Sequence, residues 1–439
     1  MLDIKKIKTN QKQVEEALKK RMPECSLDEI IKLDDERLLL QKKLEELQAI
    51  RNKTSKEIAC LKTKHEDTDD LVQEMKKIGN IISEVNEKLT YIKKILEEKL
   101  CSLPNIPDDD LVAGGKENNQ PLYQYLEQPE FDFKEKDHIE LERDLHLIDY
   151  ERGIKLAGQG SWIYTGVGAQ LEWALLCYFV NTHLKNGWEF NLVPHMLNYD
   201  CGYAAGQFPK FQDEVYWIDE ERGKNGKFLL PTAETALINM HRNEILDENE
   251  LPKKYFSYTP CYRREAGSSR KEERGIIRGH QFNKVEMVQF TTPDKSDEAF
   301  EEMLANAEEL VKGLGLHYQI NKLAAGDCSA SMCRTYDVEI WIPSMKIYKE
   351  VSSVSNCRDY QARRGNIKFK NSSTGKTELV NTLNASGLAT SRLVPALLEQ
   401  LQQSDGSVII PEVLRPFMNG MEKIEVPQQT LKRVKHKNN

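Results

Sequence analysis

The most informative stretch of the sequence is TPCYRREAGSSRKEERGIIRGHQFNKVEM, residues 259–287. Its composition predicts a strand, then a basic loop, then a second strand. Arginine binds phosphate through paired hydrogen bonds, which suits Arg263 to a phosphate group. Phe282 can stack on a flat base, and Glu265 can accept a hydrogen bond from an exocyclic amine. The stretch therefore predicts a site for a nucleoside triphosphate.

Such a site would contain no P-loop, because the pattern G-x-x-x-x-G-K-[ST] occurs nowhere in the chain. Taken alone, residues 259–287 fit a surface hairpin with solvated charges equally well. Two further stretches favour the nucleotide site over that alternative. One is YKEVSSVSNCRDYQARR, residues 348–364, and the other is NTLNASGLATSRLVPALLEQ, residues 381–400. The first places Glu350 beside a run of hydroxyls, and the second places Arg392 at the start of a helix.

The composition of the whole chain limits the possible classes of protein. The 439 residues include 62 basic and 70 acidic ones, for a formal net charge of −8, and 30% of residues are charged against 39% hydrophobic. This balance excludes collagen-like and disulfide-framework proteins, and it argues against nucleic-acid binding by bulk charge. The charge excess predicts long, solvated helices.

The sequence indicates a cytoplasmic protein without a membrane segment. Its apolar stretches are far shorter than the ~20 residues that span a bilayer, and the N-terminus does not have the pattern of a signal peptide. Nine cysteines stand singly, as expected for reduced thiols. The spacing of Cys328 and Cys333, without a nearby pair of histidines, makes zinc binding improbable, so we expect no zinc.

Residues 1–103 are expected to form an N-terminal arm. Ser26-Leu27-Asp28-Glu29 has the form of a capping box, so a helix should begin there. Further along, apolar residues follow the alternating four- and three-residue steps of a coiled coil. The polar turn HEDTDD, residues 65–70, separates the two halves, which predicts an antiparallel helical hairpin. The apolar seam of the second half consists of Leu71, Met75, Ile78, Ile82, Val85, Leu89, Ile92 and Leu96.

Two interpretations of this arm stay open. It fits a dimerisation coiled coil or spacer, and it equally fits an arm that contacts a long, shaped partner. Residues 27–103 contain 15 basic and 17 acidic residues, so the arm is not a basic stripe. If it binds nucleic acid, it must do so through shape and a few placed side chains.

The rest of the chain is divided by composition. Residues 104–120, rich in proline, glycine and aspartate, predict a linker. Residues 121–421 predict an α+β catalytic domain, and residues 422–439 form a basic tail that is usually solvated but can contact nucleic acid weakly. The expected elements of the domain include a helix from Asp297 to Leu314 with Ser296 as its cap, and strands at Tyr255–Pro260, Lys284–Phe290, Val338–Trp341 and Ser407–Ile410.

In this order, the three stretches resemble the class II aminoacyl-tRNA synthetases, and specifically seryl-tRNA synthetases of the bacterial and eukaryotic type. The resemblance covers almost the whole chain, from MLDIKKI at the N-terminus through GQFPKF (206–211) and PTAE (231–234) to DGSVIIPEVLRPFMNG (405–420). It implies an antiparallel sheet core, a coiled-coil arm and a homodimer. Gly187 to Pro194 resembles the first class motif, whose proline lies at the dimer interface.

The resemblance also implies the residues that bind ATP. Arg263 matches the arginine that binds the α-phosphate, Glu265 the residue that orients adenine, and Phe282 the ring that stacks on it. Arg278 matches the loop arginine on the terminal phosphates. Arg392 matches the arginine on the γ-phosphate side, so that Arg263 and Arg392 would be the catalytic pair.

The resemblance implies a divalent metal and an amino-acid pocket as well. Glu350 and Ser353 match the positions that hold the catalytic ion, expected to be Mg²⁺ with ATP. A free amino acid needs carboxylates for its ammonium group, an arginine for its carboxylate and a small polar pocket. The matching positions for L-serine are Thr232, Glu234, Arg263, Glu286, Asn384 and Ser386.

Some positions depart from the family pattern without removing any of these residues. In GDCSASMCRTYD, residues 326–337, the usual glycine–phenylalanine pair and small residues are absent, which leaves the packing of this segment open. His195 follows the first-motif proline where an apolar residue is more common. Near the third motif, the unusual residues are Asn381, Ala385, Thr390 and Ser391.

The expected activity is the ATP-dependent ligation of serine to tRNA(Ser) through seryl-adenylate, with tRNA(Sec) as a further substrate. Two alternatives are a divergent paralogue that activates serine for another acceptor or gives inhibitor resistance, and a non-catalytic protein that binds tRNA or a partner. Retention of Arg263, Glu265, Glu350 and Arg392 counts against the non-catalytic alternative, because a binding module does not need a complete ATP site.

Overall fold

The computed structural model describes residues 1–218, 222–223, 225–265 and 275–427. The chain divides into two compact units, Met1–Ile106 and Pro107–Asn439. The basic loop 268–274 and the last residues of the tail, Leu431 to Asn439, lie outside the described residues. Among the described helices, none combines the length and the apolar composition needed to cross a bilayer.

The first unit is helical and contains the predicted antiparallel hairpin. Two short helices precede two long ones of 36 and 34 residues, each about 50 Å long at about 1.5 Å per residue. The four helices are α1 (Ile4–Thr9), α2 (Gln11–Lys19), α3 (Asp28–Thr63) and α4 (Asp69–Ser102).

The apolar seam predicted from the sequence holds α3 against α4. Leu40 and Leu44 of α3 are buried in one cluster with Val85, Leu89 and Ile92 of α4. Two exposed ion pairs across the hairpin confirm its antiparallel direction, because early residues of α3 meet late residues of α4. These pairs are Lys99–Glu29 at 2.6 Å and Lys88–Glu36 at 2.8 Å.

Helix α3 begins where the sequence predicts, but without the reciprocal capping box. The cap residue is Leu27, and no side chain caps the helix. Ser26 Oγ instead lies 3.2 Å from the Asp28 carboxylate. The backbone N–H of Leu27 donates to Glu15 Oε1 at 2.8 Å, so a carboxylate from α2 satisfies the group next to the helix start.

The second unit contains the remaining helices and every strand. Its helices are α5 (His138–Asp144), α6 (Tyr150–Ala157), α7 (Val167–Lys185), α8 (Tyr199–Ala204), α9 (Glu234–Leu237), α10 (Ser296–Gly313), α11 (Tyr360–Gly365) and α12 (Thr390–Gln400). Its strands are β1 (Gln120–Tyr125), β2 (Ile148–Asp149), β3 (Ile163–Tyr164), β4 (Glu189–Phe190), β5 (Met196–Asn198), β6 (Lys227–Leu229), β7 (Ile245–Asp247), β8 (Lys253–Tyr262), β9 (Gln281–Thr291), β10 (Tyr318–Lys322), β11 (Arg334–Ile342), β12 (Ile347–Arg358), β13 (Lys368–Lys370), β14 (Thr377–Leu379), β15 (Asn381–Ala389), β16 (Val408–Ile409) and β17 (Lys423–Ile424).

An eight-stranded sheet organises this unit, in the order β1–β10–β11–β12–β15–β9–β8–β4. Every neighbouring pair is antiparallel except β4 and β8 at one edge, which are parallel. The expected α+β class with an antiparallel core is therefore confirmed. The four strands predicted from the sequence all lie within or overlap observed strands.

The two faces of the sheet differ in polarity because side chains alternate along each strand. On β9, Val285 and Met287 belong to the main apolar core, together with residues of α7, α10 and α12 that pack on this face. Lys284 and Glu286 alternate with them and line a cleft on the other face. The same alternation occurs on β11 and β15, and on β12 over Ser353–Ser355, beyond a bulge at Val351. The sequence pattern of four adjacent strands thus builds a core and a polar surface together.

Residues 107–120, within the predicted linker, belong to the second unit and pack against the rest of it. Asp108 pairs with Arg334 at 3.1 Å and with Arg358 at 3.0 Å, while Asp110 pairs with Lys322 at 2.6 Å. Leu111 is buried in an apolar cluster with residues of the 323–332 region. This part of the segment is therefore a fixed element, because its aspartates meet three cations.

Helix α10 also begins differently from the prediction. Ser296 is the first helical residue and Lys295 is the cap, with no side-chain capping bond. The Ser296 side chain is buried and lies 2.9 Å from Asn356 Nδ2, which donates to it. The hydroxyl thus joins the helix to β12 and does not cap the helix.

We predict that Leu89→Ala weakens the hairpin by about 2–5 kcal/mol, because it removes a buried side chain between α3 and α4. Leu89 is 2% exposed, whereas Leu39 on α3 is 70% exposed. Leu39→Ala is the matched control and should change stability by less than about 0.5 kcal/mol. Hydrogen exchange of amides in α3 and α4 of the full chain measures both effects. Equal protection in the two variants would contradict the packing described.

Candidate active site

The polar face of the sheet forms the floor of a cleft of about 950 Å³ in the second unit. Residues that the sequence predicts for ATP, metal and serine all line this one cleft, although they come from strands far apart in sequence. They are Thr232, Glu234, Arg263, Glu265, Arg278, Phe282, Glu286, Glu350, Ser353, Asn384, Ser386 and Arg392.

One part of the cleft contains the residues at the base of the β8–β9 hairpin. The Arg263 guanidinium lies over the Phe282 ring, 5.2 Å from its centroid, and Arg263 Nε donates to the Pro231 carbonyl at 3.2 Å. Arg278 Nε donates to Glu265 Oε2 at 2.7 Å. An aromatic face, two guanidinium groups and a carboxylate therefore meet at one place, which suits a base attached to phosphates.

A second part of the cleft joins β11, β12 and the start of α12. Arg392 Nη1 donates to the Glu350 carbonyl at 2.9 Å and lies 3.3 Å from the Glu350 carboxylate. Ser353 Oγ donates to Asp337 Oδ1 at 2.6 Å. Burial and the nearby charge of Glu350 raise the pKa of Asp337 well above its usual range. Carboxylate and hydroxyl oxygens thus face the cleft beside an arginine.

The third part of the cleft is a buried polar pocket on β9. Lys284 Nζ lies 2.5 Å from Glu286 Oε2 and donates to Thr232 Oγ1 at 2.8 Å. Ser386 Oγ donates to the same Glu286 oxygen at 3.4 Å. Lys284 and Glu286 are almost fully buried. Such a pair requires close hydrogen bonding, since each charge alone would be costly in this environment.

Glu234 is the other carboxylate of the pocket. Gln361 on α11 donates to its Oε1 at 2.7 Å, and Gln361 itself accepts from Thr382 at 2.7 Å. Burial and the neighbouring Glu286 raise the pKa of Glu234 to about 7, although Gln361 and Lys284 oppose this shift. The pocket therefore combines two carboxylates, one cation and small hydroxyls, which can bind a zwitterion.

Comparisons with known proteins cover both units. Residues 1–107 match the seryl-tRNA synthetase N-terminal domain, and residues 216–401 match the tRNA synthetase class II core domain (G, H, P, S and T). A serine--tRNA ligase 2 of Clostridium acetobutylicum is 56% identical over 97% of this chain and 100% of its own length. A serine--tRNA ligase of Thermodesulfovibrio yellowstonii is 44% identical over 95% of this chain and 99% of its own.

The chain belongs to the seryl-tRNA synthetase family. It is a class II aminoacyl-tRNA synthetase. Among solved structures, the seryl-tRNA synthetase of Pyrococcus horikoshii complexed with ATP is similar with a TM-score of 0.89, at 33% identity over 97% of this chain and 100% of that one. The cytoplasmic serine-tRNA ligase of Naegleria fowleri in complex with AMP has a TM-score of 0.83, at 26% identity over 95% of this chain and 96% of that one.

Sequence reasoning missed several residues that hold this seryl-tRNA synthetase cleft together. Lys284, Asp337 and Glu339 line it, and Gln361 orients Glu234 from outside. The signal for the first three was the two-residue alternation of β9 and β11, in which Lys284 precedes the buried Val285, and Asp337 and Glu339 flank the buried Val338. Gln361 has no such signal, because its role depends on α11 packing beside β15.

The departures from the family pattern have packed positions in the structure. Met332 lines the cleft and receives a contact at 3.1 Å from the Cys357 thiol behind it. Cys333 is buried, and Arg334 pairs with Asp108 and Asp110. Ala385 belongs to the main core. Asn381 and Thr390 are buried, Ser391 lines the cleft, and His195 accepts a backbone hydrogen bond from Leu230.

We predict that Lys284→Met destabilises the protein by about 3–5 kcal/mol, because it leaves the Glu286 carboxylate buried without a cation. Adding Glu286→Gln should recover part of this loss, since the uncompensated charge is then removed. The matched control is Lys295→Met, which breaks the exposed pair with Glu298 and should cost at most about 1 kcal/mol. Urea unfolding measures all three. Equal losses for the two lysine variants would contradict the buried pair.

Proposed function

We propose that this protein ligates L-serine to tRNA(Ser) through a seryl-adenylate intermediate. The observation that carries the proposal is the single cleft in which an aromatic and arginine-rich region adjoins the Lys284–Glu286–Thr232 pocket. The former suits ATP and the latter suits a small amino acid with a hydroxyl. Curated relatives that cover nearly the full chain carry the name serine--tRNA ligase.

The chemistry needs charge neutralisation more than proton transfer. The substrate carboxylate is already ionised at neutral pH, so it can attack the α-phosphorus without a general base, which forms seryl-adenylate and releases pyrophosphate. Arg263 would bind the α-phosphate and Arg392 the γ-phosphate side, with Arg278 on the terminal phosphates. Preorganised arginines stabilise the negative charge that develops in the transition state. The pairs Arg278–Glu265 and Arg392–Glu350 keep these side chains in the cleft.

The donors in the cleft fit a magnesium ion that accompanies ATP. Glu350 and Ser353 present the carboxylate and hydroxyl oxygens that Mg²⁺ prefers, and Asp337 accepts a hydrogen bond from Ser353 beside them. When bound, the ion would neutralise charge on the phosphates. In the part of the chain that the structure describes, no three His, Cys, Asp or Glu side chains form a group able to hold a metal by themselves.

Serine selection would come from the hydroxyl-binding pocket. Glu286 can accept from the substrate hydroxyl, Glu234 from its ammonium group, and Arg263 can pair with its carboxylate. The Asn384 Oδ1 atom is buried and makes no hydrogen bond within the described residues. A pocket that hydrogen-bonds a hydroxyl rejects the analogue without it, because buried polar groups then lose their partner.

The hairpin of α3 and α4 is proposed to bind tRNA by shape. Its surface carries nearly balanced charge, so bulk electrostatic attraction should not dominate its affinity for tRNA. Leu39 and Tyr91 are large apolar residues exposed on its two helices. We propose that tRNA(Sec) is charged too, since recognition by shape admits tRNAs of similar form. The basic tail 422–439 is proposed to make at most local phosphate contacts.

A homodimer in the cytoplasm is the proposed working form. Large apolar side chains are exposed on α7 and on the segment after it, where the first class motif lies. They are Trp173, Leu184, Phe190, Leu192 and Met196. Exposed apolar residues grouped in this way mark interaction surfaces, and a symmetric pair would cover them. The nine cysteines are all free thiols, as expected in a reducing compartment.

We predict that Arg263→Ala lowers serine-dependent ATP–pyrophosphate exchange by at least about 100-fold, because the α-phosphate loses its charged partner. Arg264→Ala is the matched control, since Arg264 is the next residue, is exposed and contacts the Asp213 carbonyl outside the cleft. Its exchange should stay within twofold of the wild type. Equal exchange in the two variants would refute the assignment. No exchange with serine in the wild-type protein would refute the proposed function.

We predict that replacing residues 48–80 with a short turn abolishes charging of tRNA(Ser) while ATP–pyrophosphate exchange stays within about threefold. The part removed is the outer hairpin, and the cluster around Leu44 and Leu89 remains to hold the shortened arm. Aminoacylation and exchange are measured on the same preparation. Undiminished charging would favour the spacer interpretation of the arm. Exchange without charging by the wild type would favour a paralogue that serves another acceptor.

A further inference from the structure

Helix α7 carries a buried carboxylate for which the mechanism above has no use. Glu172 lies on the side of the helix that faces the sheet, and it is 5% exposed. The helix is fixed in the core by Leu171, Leu175 and Phe179, which are fully or almost fully buried. A carboxylate held this firmly can position whatever it binds.

Glu172 binds two elements of the cleft with one oxygen. Thr390 Oγ1 donates to Glu172 Oε1 at 2.7 Å, and Asn283 Nδ2 donates to the same oxygen at 2.8 Å. The Thr390 hydroxyl also lies 3.3 Å from the backbone carbonyl oxygen of Asn283. The three residues therefore form a hydrogen-bonded group that joins α7, β9 and the first residue of α12, and Tyr164 of β3 also hydrogen-bonds to Glu172.

Both partners stand next to residues proposed to bind ATP. Asn283 follows Phe282 along β9, so the two side chains point to opposite faces of the strand. Thr390 begins α12, two residues before Arg392. We propose that Glu172 is a positioning residue for ATP, which fixes the distance between the base-stacking ring of Phe282 and the phosphate-binding Arg392.

The charge of Glu172 is consistent with this role. Burial raises the pKa of Glu172, whereas the hydrogen bonds from Thr390 and Asn283 favour its ionised form. Hydrogen bonds to a charged acceptor are stronger than those between neutral groups. Thr390 is also a position where the chain departs from the small apolar residue expected for the family. In this chain, the Thr390 hydroxyl therefore links the start of α12 to β9 through Glu172.

The inference rests on the proposed function, and its test compares the two substrates separately. Thr390→Val keeps the shape of the side chain and removes the donor. We expect it to raise the KM for ATP in serine-dependent exchange about tenfold, which is the change in an equilibrium constant that the loss of one hydrogen bond produces. The KM for serine should stay within twofold of the wild type. Thr390→Ser retains the hydroxyl and should restore the KM for ATP.

The matched control is Thr182→Val on α7, the helix that carries Glu172. Thr182 is buried and donates to the Tyr178 carbonyl at 2.9 Å, outside the cleft. We expect both KM values to stay within twofold of the wild type in this variant. If Thr390→Val fails to fold, Glu172→Gln is measured in its place, with the same separation of the two KM values expected and the melting temperature as the check on folding.

The outcomes separate this inference from the proposed function. An unchanged KM for ATP in folded Thr390→Val overturns the positioning role and leaves the ligase activity standing. Equal rises in both KM values overturn it too, because they indicate a general loss of packing. Absence of serine-dependent exchange in the wild type overturns the proposed function, and this inference with it.

Discussion

The two-residue alternation of side chains along four adjacent strands is the constraint on which the rest of this structure depends. Val285 and Met287 of β9 face the helices, while Lys284 and Glu286, which alternate with them along the strand, face the cleft. A shift of the pairing by one residue would exchange the two sets and place charges in the core. Burial of the apolar set therefore fixes the positions of the polar set. Core packing and site geometry are two results of one pattern.

The polar face is stable only because its charges are paired. Lys284 lies between Glu286 and Thr232, and Gln361 holds Glu234 from the side. Buried ion pairs add little net stability, but they penalise any arrangement that separates the partners. The pocket is consequently preorganised, which is what recognition of a small zwitterion requires. Burial and the neighbouring Glu286 raise the pKa of Glu234 to about 7, so the charge of the pocket should depend on pH near neutrality.

The sequence was sufficient to predict the hairpin, the main strands and which residues meet in the cleft. Periodicity determines which face of an element is buried, and motif order brought together residues as distant as Thr232 and Arg392. The sequence pattern could not predict which local hydrogen bonds form. Ser26 and Ser296 have the chemistry of helix caps, yet neither caps its helix. The Ser26 hydroxyl contacts the side chain of Asp28 two residues further on, and the Ser296 hydroxyl is bound by a tertiary partner, Asn356 of β12. Gln361 was missed for the same reason, since only the fold places it beside Glu234.

In the proposed function, the Lys284–Glu286–Thr232 pocket binds the hydroxyl of serine. The most direct measurement is aminoacylation of tRNA(Ser) by the purified full-length protein, with kcat/KM determined for serine and for alanine. We expect serine to be preferred by about 10⁴-fold or more, because alanine leaves the buried polar groups without a partner. Charging of alanine within about tenfold of serine would contradict it.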